Sequence, residues 1–321
     1  MRTNLILVLA DPAERQLTML DELRPGTEVV VGDSARLFGK EAADAPVLFN
    51  WSGSLELLRD VVSVCPNLEW VHSRAVGLER TLFPDLIENS VTLTNGRGVF
   101  SASLGEFALA AILYFAKDLR RMVRNQMART WESFDVMPIS GQVVGIVGYG
   151  DIGRAVATRV RPLGMKVLAV KRHASPDADP IVEQTYTPDG RTEMLARCDY
   201  VVVATPLTAE TRGMIAEPEL AAMKPTGVII NLGRGPVIDE KALLDALSRG
   251  RIKGAALDVF DKEPLPREHP FYELENVLLS PHCADHTPDW LDQSMRFFIE
   301  QYERFRKGQP LMNVVDKKLG Y

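Results

Sequence analysis

Short apolar runs alternate with amphipathic ones along most of the chain. Leu5–Leu9, Glu28–Val31, Val47–Phe49, Leu68–His72 and Val91–Leu93 read as strands, with helical spacing between them, as in Leu55–Val64. Such alternation predicts a parallel sheet joined by crossover helices. A second, larger series follows: Val143–Val147, Lys166–Val170, Tyr200–Ala204, Val228–Asn231, Gly254–Leu257 and Val277–Leu279. Helices are expected between these strands, among them Glu240–Ser248 with Asp239 as its cap, and a last one spans Leu291–Arg306. Between the two series the pattern predicts one long helix, Ser103–Arg129. Ser103-Leu104-Gly105-Glu106 has the form of a capping box, Phe107–Phe115 is apolar nearly all round, and Arg120, Arg121 and Arg124 mark an exposed end.

Composition narrows the field. At 321 residues, two domains are expected, and 46% hydrophobic with 25% charged residues suits a globular chain with a sizeable core. The 37 basic and 43 acidic residues leave a net charge of −6, which argues against nucleic acid as a partner. Cys65, Cys198 and Cys283 are scattered and form no CxxC pair, so a reducing, cytoplasmic setting and no metal are expected. Leu5–Ala10 is too short for a signal sequence and ends at Asp11-Pro12; no apolar run is long enough to span a membrane. Asn50-Trp51-Ser52 fits a glycosylation acceptor only by chance without such a signal.

The strongest chemical signal is VGIVGYGDIGRAV. Gly148-Tyr149-Gly150-Asp151-Ile152-Gly153 follows a strand and opens a helix. The first glycine makes the turn, the second admits a pyrophosphate to the backbone, and the third lets helix and strand pack closely. A dinucleotide site is therefore expected, with Gly148, Gly150, Asp151, Ile152 and Gly153 along the phosphates. An acid normally meets the adenosine ribose at the end of the next strand. Here Lys171, Arg172 and His173 stand there, and positions 170–174 hold no carboxylate. Lys171 and Arg172 are suited to a 2′-phosphate, which predicts NADP in preference to NAD. Solvated loop cations are the alternative.

NLGRGPVID, ALDVFDKEPL and LLSPHCADHT place Arg234, Asp258, Glu263 and His282 just after predicted strands. Hydride reduction of a 2-keto acid needs a cation for the carboxylate (Arg234), a proton donor (His282) and a carboxylate that orients the imidazole and favours its charged form (Glu263). Singly, each also has an ordinary structural role. Together with the glycine turn and TPLTAETRGMI, these segments resemble the D-2-hydroxyacid dehydrogenases, most strongly from about Asn95 to Thr287.

The resemblance implies two Rossmann-like or flavodoxin-like α/β domains with parallel sheets. Residues 99–286 would form a dinucleotide-binding domain inserted into a substrate (catalytic) domain of 1–98 plus 287–321. It implies that Arg234, Glu263 and His282 are catalytic, that Asp258 accepts from the nicotinamide carboxamide, and that Thr205, Leu232 and Ile152 face the cofactor. In Arg74-Ala75-Val76-Gly77, backbone N–H groups of Val76 and Gly77 would bind the substrate carboxylate, with Trp51 either walling the pocket or packing in the core. Asn95 and Arg97 would form a hinge, and a homodimer would form through the cofactor domains, using the long helix and Trp131. The family usually reads Ile-Ala-Gly after the histidine; Cys283-Ala284-Asp285 departs from it, and Cys283 is expected as a small buried filler, with a reactive thiol as the alternative. Formate dehydrogenases of the family carry Gln in place of Glu263. The 39 residues after His282 leave no room for the regulatory domains of long phosphoglycerate dehydrogenases. A glyoxylate/hydroxypyruvate reductase with NADP, or else NAD, is the expected type. A corepressor-like sensor that binds NAD(P)(H) without significant turnover is the alternative.

Overall fold

The computed structural model describes residues 4–172 and 179–321; His173 lies outside them. The chain divides into two compact units, Met1–Val99 with Thr287–Tyr321, and Phe100–His286.

The first unit carries β1 (Leu5–Leu9), β2 (Glu28–Gly32), β3 (Val47–Asn50), β4 (Trp70–Ser73) and β5 (Thr92–Asn95). They pair parallel in the order β2-β1-β3-β4-β5. Strand alternation puts Leu5, Leu7, Leu9, Leu48 and Val71 into one core layer, and Ile6, Val8, Val47, Phe49 and Trp70 into the other. The helix Trp290–Arg306 covers the second layer. Its Phe298 stacks 3.9 Å from Phe49 and 5.6 Å from Trp70, so the C-terminal segment completes this core. Asn50 is fully buried, which leaves no room for a glycan there.

The second unit carries β6 (Val143–Val147), β7 (Lys166–Val170), β8 (Gln184–Tyr186), β9 (Tyr200–Val203), β10 (Val228–Asn231), β11 (Gly254–Leu257) and β12 (Val277–Leu279). The order is β12-β11-β10-β9-β6-β7-β8, all parallel. β8 was not legible in the sequence. It is three residues long, two of them exposed at the sheet edge, so it lacks the continuous apolar run of a central strand.

The single helix expected over Ser103–Arg129 is instead two, Ser101–Lys117 and Leu119–Met127. Asp118 adopts the left-handed region (φ 49°) and ends the first; its carboxylate accepts from Arg121 N at 3.3 Å and caps the second. The expected capping box does not form. The helix starts two residues earlier, with Phe100 at the N-cap, so Ser103 lies inside the first turn. Tertiary partners claim both side chains: Ser103 Oγ donates to Ala284 O (2.6 Å), and Glu106 pairs with Arg159 (3.2 Å). Asp239 does cap Glu240–Ser248, accepting from Ala242 N at 2.9 Å. Among the described residues, no helix is long and apolar enough to cross a membrane.

Candidate active site

The strand order of the second unit reverses between β6 and β9, where open α/β sheets gather ligands at their carboxyl ends. The glycine turn sits there. Gly148 has φ +95°, and a Cβ on it would lie 2.7 Å from Thr205 Cγ2 and 2.8 Å from the Ala204–Thr205 backbone. A Cβ on Gly153 would lie 2.6 Å from Gly148 O, so the helix Asp151–Val160 packs directly on the turn. A Cβ on Gly150 would meet nothing within 4 Å. The turn is thus closed toward the protein at Gly148 and Gly153 and open at Gly150. No side chain caps the helix behind it. An open glycine at an uncapped helix start fits a pyrophosphate. Ile152 is half-buried beside it, and Leu232 is buried at the end of β10.

The edge beyond β7 is more crowded than the sequence suggested. Lys171 Nζ lies 5.1 Å from the Tyr149 ring centroid, and Arg172 is ion-paired with Glu210. Tyr149 OH donates to Asp179 Oδ2 (3.1 Å), which also pairs with Arg154 Nε (2.9 Å). Burial, and then the Asp179 carboxylate, hold the Tyr149 phenol well above its ordinary range. Glu210 comes from the turn after β9, 38 positions from Arg172, so a local search for a carboxylate could not find it.

The expected chemical residues all follow strands of this sheet. After β10, Asn231 knits a turn: its Nδ2 donates to Arg234 O (3.1 Å) and its Oδ1 accepts from Gly233 N (3.1 Å). Arg234 is half-buried, with Nη1 donating to Gly233 O at 2.8 Å. A Cβ on Gly235 would fall 2.0 Å from Phe260 C, so the Arg234 turn lies flat against the turn after β11. That second turn holds Glu263. Its Oε1 accepts from Phe260 N (3.0 Å), and its Oε2 lies 2.8 Å from His282 Nδ1. One oxygen anchors the loop and the other the imidazole. An acceptor at Nδ1 fixes the neutral ring's proton there and leaves Nε2 as the working end of a side chain that is 43% exposed.

His282 occupies the left-handed region (φ 52°), a conformation costing about 1 kcal/mol or more for a residue other than glycine. Asp258 holds it. Only 2% exposed, its Oδ1 accepts from Ser280 Oγ (2.5 Å), Cys283 N (3.0 Å) and Ala284 N (3.1 Å). Asp258 is therefore a scaffold of the histidine turn. This role was invisible in the sequence because its partners lie 22 to 26 positions away. The expectation for Cys283 is corrected: the residue is exposed. Its N–H turns in to the Asp258 carboxylate, which leaves the side chain on the open side of the turn. Asp285, where the family usually has glycine, is largely buried, and that burial pushes its carboxyl above the ordinary range; His286 lies 3.7 Å away.

In the first unit, Trp51 is 1% exposed at the end of β3. Val76 O accepts from Asn95 Nδ2 (2.8 Å). Among the described residues, nothing accepts from the backbone N–H groups of Val76 and Gly77, both half-buried.

Comparison with known proteins matches residues 109–284 to the D-isomer specific 2-hydroxyacid dehydrogenase, NAD binding domain family. A glyoxylate reductase of Korarchaeum cryptofilum is 33% identical over 266 residues, covering 81% of this chain and 80% of the relative. A D-3-phosphoglycerate dehydrogenase of Methanocaldococcus jannaschii is 28% identical over 97% of this chain and 59% of that one. An NADPH-dependent glyoxylate/hydroxypyruvate reductase of Sinorhizobium meliloti, solved with NADP and sulfate, superposes with a TM-score of 0.85 at 27% identity, covering 99% of this chain and 100% of that one. A D-isomer specific 2-hydroxyacid dehydrogenase of Xanthobacter autotrophicus, solved with NADPH and MES, gives 0.85 at 27% identity, covering 100% of each chain. With the glycine turn and the paired histidine and glutamate at its strand ends, this chain belongs to the D-isomer specific 2-hydroxyacid dehydrogenase family, as an oxidoreductase that uses a nicotinamide cofactor to reduce a keto acid.

Proposed function

We propose that the protein reduces a small 2-keto acid of the glyoxylate or hydroxypyruvate kind to the D-2-hydroxy acid, with NADPH as donor. One observation carries this: His282 Nδ1 and Glu263 Oε2 lie 2.8 Å apart in the unit that bears the glycine turn. A bound nicotinamide supplies hydride to the carbonyl carbon. Protonated at both ring nitrogens, His282 gives its Nε2 proton to the carbonyl oxygen and is left neutral, its remaining proton on Nδ1 facing Glu263. Arg234 holds the substrate carboxylate and polarises the carbonyl. In the first unit, the backbone N–H groups of Val76 and Gly77 are the proposed carboxylate donors, and Trp51 stands beside them, packed into the core. Gly148, Gly150, Asp151, Ile152 and Gly153 would hold the pyrophosphate, Thr205 and Leu232 the rest of the dinucleotide, and Asp258 would accept from the nicotinamide carboxamide.

NADP preference rests on Lys171 and Arg172. Arg172 must exchange Glu210 for the 2′-phosphate. Glu210 is 69% exposed, and such pairs contribute about 0–1 kcal/mol, so a doubly charged phosphate with three acceptor oxygens outcompetes it. The relatives from Sinorhizobium meliloti and Xanthobacter autotrophicus were solved with NADP and NADPH. A homodimer is supported by the apolar surface of the second unit, where Met122, Val123, Met127 and the fully exposed Trp131 face solvent. Two buried free cysteines, Cys65 and Cys198, suit the cytoplasm.

A panel of 2-keto acids with NADPH and with NADH, followed by nicotinamide absorbance, tests the proposal. Faster NADPH oxidation with glyoxylate or hydroxypyruvate supports it. No oxidation with any acid would favour a nucleotide sensor. Arg172→Asp should weaken NADPH and spare NADH; an unchanged ratio refutes the assignment of Arg172. Sedimentation as a monomer at micromolar concentration would remove the dimer.

A further inference from the structure

Arg234 and Glu263 stand on separate turns of the second unit, and a carboxylate outside both turns ties them together. Arg234 leads into Gly235-Pro236-Val237, which runs on to Asp239 and the helix Glu240–Ser248. Glu263 lies on the turn after β11, just beyond Phe260 and Asp261. A side chain at position 235 would strike the Phe260–Asp261 peptide, so the two turns touch backbone to backbone. Such contact is not directional and does not fix one turn's position along the other. Glu240, the first residue of the helix, adds direction. Its Oε2 accepts from Asp261 N at 3.3 Å, and its Oε1 lies 3.1 Å from His269 Nε2.

His269 is itself anchored. Its Nδ1 accepts from Phe271 N at 3.3 Å, which leaves the proton of the neutral ring on Nε2, facing Glu240. The ring is 16% exposed and lies 4.7 Å from that of Phe271, a residue of the main core of this unit. The helix dipole favours any acid in the first turn, but it does not call for a histidine on the far side. Glu240 also stands near the Asp261 carboxyl, which burial and then the Glu240 charge push above its ordinary range. Two acids so placed repel, and the two bonds accepted by Glu240 offset that repulsion.

The amides of Phe260 and Asp261 are consecutive. Glu240 holds the second and Glu263 the first, and the other oxygen of Glu263 meets His282 Nδ1. A reacting constellation must keep its geometry to within about 0.5 Å, which calls for supporting bonds behind the groups that react. We infer that Glu240, oriented by His269, is a positioning residue for the proposed reduction, on which this inference rests: it clamps the Asp261 amide, so that the Glu263 turn keeps its register against the Arg234 turn.

Residue-resolved amide hydrogen exchange on the cofactor-free chain tests the clamp without turnover. Glu240→Ala deprives Asp261 N of its acceptor directly. Phe260 N does not touch Glu240, so its exchange should speed about tenfold or more only if Glu263 is set loose, while the β6 amides keep their wild-type rates. Unchanged exchange at Phe260, or equal acceleration in β6, overturns the inference. In the absorbance assay with NADPH and glyoxylate, Glu240→Ala should lower kcat about tenfold. In a Glu263→Gln background it should cost less than about twofold, because the chain of bonds is already cut; a merely structural loss would be the same in both backgrounds. His269→Asn keeps an acceptor for Phe271 N but does not reach Glu240, and should reproduce part of the loss; a wild-type kcat would overturn the role of His269. If Glu240→Ala fails to fold, Glu240→Gln, which keeps one acceptor, decides by the same cycle. Faster Phe260 exchange in a protein that reduces no keto acid would sink the reductase proposal and leave the clamp standing. Turnover with Phe260 exchange unaltered in the variant would sink the clamp alone.

Discussion

Acid should loosen the first unit through one buried imidazole. His72 on β4 is 1% exposed and lies among Phe49, Trp70, Phe297 and Phe298, with ring centroids 5.4 to 6.0 Å away. Its Nδ1 and Trp70 Nε1 both reach Thr94 Oγ1 at 2.8 Å. Burial lowers its pKa from 6.5 to about 3. The unfolded chain takes up a proton below pH 6.5, whereas the folded one does not until about pH 3. Stability is therefore unaffected by this group above pH 6.5 and falls as pH drops through that window. At about 1.36 kcal/mol per pH unit, the cost between pH 6.5 and 5 is about 2 kcal/mol. Urea unfolding at pH 7.5 and 5.0, followed by tryptophan fluorescence, measures it, because Trp51, Trp70 and Trp290 all lie in the first unit. His72→Phe gives up the Thr94 hydrogen bond at both pH values, about 1 kcal/mol, but should lose about 2 kcal/mol less than wild type between them. The same pH dependence in both proteins would refute the assignment.

The glycine turn separates folding from binding. Gly148→Ala should destabilise the second unit by about 1–3 kcal/mol in chemical denaturation, because φ +95° and the Thr205 backbone leave no place for a methyl group. Gly150→Ala meets open space, so its stability should change little while NADPH affinity drops in a fluorescence titration. Glu263→Gln should lower kcat by about a hundredfold in the absorbance assay, since an amide at 2.8 Å from Nδ1 cannot stabilise the charged ring as a carboxylate does. Glu210→Gln removes the partner that Arg172 must leave, so the NADPH-to-NADH ratio of kcat/KM should rise a few-fold; a fall would contradict the proposed exchange.

Strands β1, β6, β7, β10, β11 and β12 run where the apolar runs lie, because a buried parallel strand must be apolar on both faces. Over 101–127 the chain departs from its apolar pattern both at its start and at Asp118, where one helix ends and another begins. A capping motif competes with tertiary acceptors, and at Ser103 the Ala284 carbonyl won. Asp118 broke the helix because its side chain could cap the next one, a local alternative that apolar periodicity does not register.

By itself, the sequence determined what is local or periodic: the strands, the glycine turn behind β6, and which residue types stand at the strand ends. Tertiary structure alone decided how they are used. It set Glu263 against His282 across 19 positions, buried Asp258 under the histidine turn, answered Arg172 with Glu210 and left Arg74 between two indoles. The reason is physical. Backbone conformation and apolar patterning act over a few residues, whereas the partner of a charge is whichever group the fold brings within about 4 Å, at any distance along the chain.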